Sequence, residues 1–141
     1  MIPLSMRVPV ESGYVFPSGA MFLGVEPARD FKLRGQDDDQ LRDESGVRVW
    51  HVKVLDLDPE SGKFGRSKEI RVKVAAPHQP VPPSPSVPGY PPLVTFEGLT
   101  LTPWVDQQKC RDGGKCRAQL AWSLRASGMV AAAPGLAKAG L

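Results

Sequence analysis

The stretch from Arg48 to Val74, RVWHVKVLDLDPESGKFGRSKEIRVKV, allows few folds. Trp50, Val52 and Val54 alternate with His51 and Lys53; Ile70, Val72 and Val74 alternate with Glu69, Arg71 and Lys73. Successive side chains of a strand point to opposite faces. The pattern predicts two strands, each with one apolar face for a core and one wet, largely cationic face. Between them, Asp58 to Gly62 (DPESG) has turn chemistry, because Pro59 pre-sets φ and Gly62 accepts a positive φ.

The rest of the chain fits the same class. Residues 1–17 hold three prolines and mixed polarity and read as a flexible arm, with a short extended piece at Gly13 to Phe16. Ala20 to Val25 (AMFLGV) predicts a first strand, and Glu26 to Gly46 a long, charged, mobile loop. The second strand is expected over Val47 to Leu57 and the third over Ser67 to Ala75. Ala76 to Pro92 holds eight of the chain's fifteen prolines in seventeen residues, so it predicts an extended, polyproline-like connector. A PxxP ligand for a partner domain is the other use of such a segment.

Leu93 to Trp104 predicts a fourth strand, broken at Gly98, where the alternation slips by one and a bulge or bend is expected. Asp112, Gly113 and Gly114 signal a hairpin tip. Cys116 to Ala126 predicts a fifth strand, with Ala118, Leu120, Trp122 and Leu124 facing one way. Residues 128–141, rich in Ala and Gly, read as a disordered tail.

Five short strands without a convincing helix predict one all-β domain over residues 18–127. A barrel would remove exposed strand edges. The five-stranded OB-like barrel fits best, with the Pro-rich connector of residues 76–92 in place of the helix between strands three and four. An open sandwich or an SH3-like barrel is the competing architecture.

Charge is sorted along the chain. Gly62 to Ala75 and Lys109 to Arg125 each hold five Lys or Arg against one carboxylate, +4 apiece; with a net charge of +3, the remainder carries −5. Asp37, Asp38, Asp39, Asp43 and Glu44 form one acidic cluster, without the glycine and spaced oxygens of a calcium loop. Pro3, Arg7 and Pro9 interrupt any signal-peptide pattern, and no run approaches the roughly 20 apolar residues of a membrane span. A soluble, cytoplasmic protein is expected.

Catalytic chemistry has little to draw on. The two histidines are His51, mid-strand among cations, and His78, in the connector; neither sits near an arrangement of nucleophile and base. Cys110 and Cys116 are separated by five residues, not a zinc spacing, and no second ligand pair follows. They read as reduced thiols, with a cross-hairpin disulfide or half a metal site as alternatives. No phosphate-cradling glycine loop opens a helix. The expectation is a protein without enzymatic activity, metal or cofactor.

The cationic faces carry the functional expectation. Lys53, Arg71 and Lys73 should share one face of a paired hairpin, and Arg117 and Arg125 could extend it. Lys63, Arg66 and Lys68 lie in or beside the first loop; Lys109, Arg111 and Lys115 lie in the second. Phe64, between Lys63 and Arg66, suits base stacking beside phosphate pairing, although an aromatic at a turn also packs back on the core. Trp104 has the same two readings, stacking or core closure. A groove with about 4 phosphate contacts would give a log–log salt slope of roughly −3. Plain solvation of the cations is the simplest alternative. A protein-interaction module using the Pro-rich segment, the acidic loop and a sheet edge is another, and duplex readout through a β-ribbon a third.

The order of pieces resembles a known group. GVRVWHVKVLDLDPESGKFGRSKEIRVKV, the Pro-rich gap, FEGLTLTPWV, a basic hairpin and AQLAWSLRASGM follow one another from about Ala20 to Met129. This resembles small proteins encoded beside replication and transfer genes on actinobacterial plasmids and integrated elements. Those are regarded as OB-like single-stranded-DNA-binding candidates, similar in plan to the helix-destabilising proteins of filamentous phage. The resemblance implies a single-stranded-nucleic-acid partner, DNA before RNA, with little sequence preference, and a homodimer. The chain departs from the group in its long Pro-rich gap and two hairpin cysteines.

Overall fold

A computed structural model describes residues 6–63, 67–106 and 118–132. Strands β1 (Val8–Pro9), β2 (Ala20–Pro27), β3 (Val49–Asp56), β4 (Glu69–Ala75), β5 (Leu93–Glu97), β6 (Thr100–Asp106), β7 (Gln119–Ala126) and β8 (Gly128–Ala131) form one sheet. A single helical turn, α1 (Ser12–Val15), precedes β2. The strand order is β1-β6-β7-β4-β3-β2-β5-β8. All neighbours pair antiparallel except β4 and β7, which are parallel.

The alternation of β3 and β4 is borne out. Val52, Val54, Val72 and Val74 are fully buried, and Trp50 nearly so; its Nε1 donates to the Ala76 carbonyl at 2.9 Å, fastening the start of the Pro-rich connector. The core continues through Ala20, Val94, Phe96, Leu99, Leu124 and Ala126. No strand or helix occurs between Ala75 and Leu93.

The fourth predicted strand does break at Gly98, which has φ +60°. A Cβ there would lie 2.6 Å from Ser127 Oγ, so any side chain would have to displace it. Ser127 is the matching corner between β7 and β8; its N–H and hydroxyl both donate to the Glu97 carbonyl, at 2.9 and 3.0 Å. Two long strands therefore bend together. Below the corner they pair as β6 and β7 beside β4, and above it as β5 and β8 beside β2. The bend curls the sheet around the core.

Three expectations need correction. The architecture is a curled, open sheet of eight strands, not a closed barrel of five, because the corner at Gly98 divides the expected fourth strand and two further segments join the edges. One of those segments is β8, within residues expected to be a disordered tail; its backbone finds partners along β5. The other is the N-terminal arm. Val8–Pro9 pairs with β6, Ser12 Oγ accepts from the Phe96 N–H at 3.1 Å, and Phe16 is buried against Phe96 with ring centroids 6.0 Å apart.

The loop after β2, expected to be mobile, is also organised. Bridges join Arg29 to Gln40 and Arg42 to Arg48. Gln40 is buried, donating to the Val49 carbonyl and accepting from Arg48. Arg48, with the Gln40 N–H and Arg42, holds the Asp38 carboxyl down at about 2.

Candidate nucleic-acid interface

Cross-strand register sets the site. Lys53 lies opposite Arg71, and His51 opposite Lys73. Lys73 in turn lies opposite Arg125 of β7. These residues alternate with the buried valines, so they share the outer face. Directly opposed like charges destabilise a sheet.

Ion pairing sharpens the picture. Arg42 and Arg48 meet Asp38, Arg29 meets Asp39, Arg7 meets Glu44, and Arg125 meets Asp43 at 3.3 Å. The acidic cluster of the sequence is thus largely matched by arginines. Lys53 reaches Glu26 at 3.4 Å, and Lys63 reaches Glu60 at 2.6 Å. Among the described residues, Lys68, Arg71 and Lys73 meet no carboxylate within 4.0 Å, and all three lie in or beside β4. Lys32 and Arg34, after β2, are the others of this kind.

Lys68 stands exposed just before β4, its stem against Gly62, beside the first loop as expected. Phe64, Arg66, Lys109, Arg111, Lys115 and Arg117 lie outside the described residues, as do Cys110 and Cys116.

Trp104 does not close the core. It is 45% exposed on β6, opposite Ala121. Thr100, two pairs along the same face, lies opposite Arg125. Trp104 therefore stands on the side of the sheet that carries the cations. On β7 the expected inward row is buried only at Leu124; Leu120 and Trp122 are exposed. The reason is reach, since β7 meets β4 only over Leu124 to Ala126 and the β6–β7 ribbon extends past it. Tyr14 is exposed as well. Sequence reading missed Tyr14 and Trp122 as surface aromatics, because alternation reports a face and not whether anything covers it.

His51 reports the field of this face. Burial lowers its pKa, with Lys73 and Arg71 adding to the effect, Lys53 contributing less and Glu26 opposing. A depressed His pKa contributes stability above the unfolded value near about 6.5 that is lost as pH falls toward the folded value. Thermal melts between about pH 7.5 and 5.5 should therefore show a larger loss for the native chain than for His51→Gln. Equal losses would mean that His51 is not under this field.

Comparison with protein-family models, with curated proteins and with solved structures found no match.

Proposed function

We propose that this chain is a non-enzymatic, single-stranded-DNA-binding protein of low sequence specificity, acting in the cytoplasm in replication or transfer of a mobile element. The observation that carries the reading is the opposition of Lys53 to Arg71 and of Lys73 to Arg125 on one open face, with Trp104 on the same side. A polyanion would relieve the repulsion there, and an exposed indole offers a stacking surface that suits any base. Lys63, Lys68 and the cations of the two basic loops would extend the track. The resemblance in the order of sequence pieces supports the link to mobile elements.

The strand order supports a finer reading of the fold. Counting β5 with β6 and β7 with β8 as two bent strands leaves five: β2, β3, β4 and the bent pair. Each then has two neighbours, and the order returns on itself through β2 and β5. This order supports an OB-like arrangement, in which the second and third strands would form a common oligonucleotide-binding face. In that arrangement they would be β3 and β4. No helix among the described residues is long and apolar enough to cross a membrane.

Titration with oligo-dT, followed by tryptophan fluorescence, tests the reading. Quenching is expected, weakening on added salt with a log–log slope of roughly −3. Absence of binding at about 50 mM salt would defeat it. The exposed Val81, Val87 and Tyr90 of the Pro-rich connector favour a second reading, a module that recruits another chain through this segment and a sheet edge. Duplex DNA competing as well as oligo-dT would instead point to readout of double strands.

A further inference from the structure

β4 and β7 pair only where Val72 to Val74 face Leu124 to Ala126. Toward their N-terminal ends the two strands separate, and a cleft of about 400 Å³ opens. Ile70, Leu101, Trp122 and Leu124 line it, together with Tyr14 and Val15 from α1, and Arg71 stands at its margin with Glu69. The volume falls within the roughly 300–1,000 Å³ of small-ligand sites. Trp122 is 51% and Tyr14 81% exposed, so two aromatic rings border an apolar cleft and remain in water.

The cleft adjoins the cationic face. Consecutive side chains of β4 point to opposite sides, so Ile70 turns toward the cleft and Arg71 toward the cations. Only the width of one strand separates an apolar slot with aromatic walls from Arg71 and Lys73, which meet no carboxylate among the described residues. We propose that the cleft takes one nucleobase of a bound single strand, stacked on Trp122, while Arg71, Lys53 and Lys73 hold the flanking phosphates. The inference rests on the single-strand reading above and adds a base site on the far side of β4 from Trp104. Charge complementarity selects this occupant. A second copy packed here about a twofold axis would bring its own Arg71 and Lys73 against these, whereas each nucleotide brings a negative charge beside a flat apolar ring. A base held in a duplex is stacked and cannot enter.

The test compares oligo-dT with an abasic oligomer of equal length, using labelled strands and fluorescence anisotropy. Trp122→Ala should weaken oligo-dT binding by about 5–100-fold and leave the abasic oligomer and the salt slope unchanged. Tyr14→Ala should act in the same sense. If Trp122→Ala melts early, Trp122→Leu keeps apolar bulk without the aromatic ring and should show the same selective loss. The proposal is overturned if these variants bind oligo-dT like the native chain, or weaken both oligomers equally. It is also overturned if sedimentation shows a dimer that Trp122→Ala dissolves, which would give the cleft to a second copy. Failure of the single-strand reading looks different, since the native chain would then bind neither oligomer.

Discussion

Reversing two charges, Arg71→Glu with Lys73→Glu, is expected to abolish single-strand binding and at the same time stabilise the protein. Two of about 4 phosphate contacts are replaced by repulsion, so affinity for oligo-dT should fall by about 100-fold or more, with the residual salt slope roughly halved. In the free protein the same exchange turns the Lys53–Arg71 pair from like to unlike charges. It also removes a cation from beside His51. Cross-strand pairs of this kind contribute roughly 0.2–1 kcal/mol each, so the variant should melt at a higher temperature. Anisotropy and thermal melts on one preparation check both halves. A more stable variant that still binds like the native chain would show that the face is merely solvated.

Phe16→Ala should cost about 3–5 kcal/mol, the usual loss when a buried aromatic ring is removed. Phe16 is 4% exposed, packs on Phe96, and lies next to the turn whose Ser12 meets the β5 backbone. A small domain has roughly 5–15 kcal/mol in total, so the variant should be close to unfolding at body temperature. Tyr14→Ala, two residues earlier and largely exposed, should change stability by no more than about 0.5 kcal/mol. Chemical denaturation of the two variants separates a docked arm from a loose one. Similar, small effects for both would mean that the arm is no part of the core.

The sequence was most legible where a period repeated. Two alternating runs identified β3 and β4, and their valines are the most deeply buried side chains. The slip in alternation at Gly98 located the corner, where a positive φ and the close approach of Ser127 favour glycine. Legibility failed where a single contact does what a pattern does elsewhere. Phe16 is one ring in a proline-broken arm, and Gly128–Ala131 is four residues whose partner strand lies more than thirty positions away. The loop after β2 showed charge without period, and its order comes from arginines meeting carboxylates that composition alone cannot pair.

The site divides in the same way. That Lys53, Arg71 and Lys73 share an outward face followed from strand alternation, a local property of the backbone. That Lys53 lies opposite Arg71, that Trp104 joins their side, and that Trp122 is left open beside a cleft depended on register and on where β7 leaves β4. By itself the sequence determined the all-β class and the two-faced character of its strands, because side-chain direction along a strand needs only neighbouring residues. Tertiary structure alone decided which cations meet a carboxylate and, among the described residues, which aromatic rings stand exposed, because both depend on what distant segments bring to the same place.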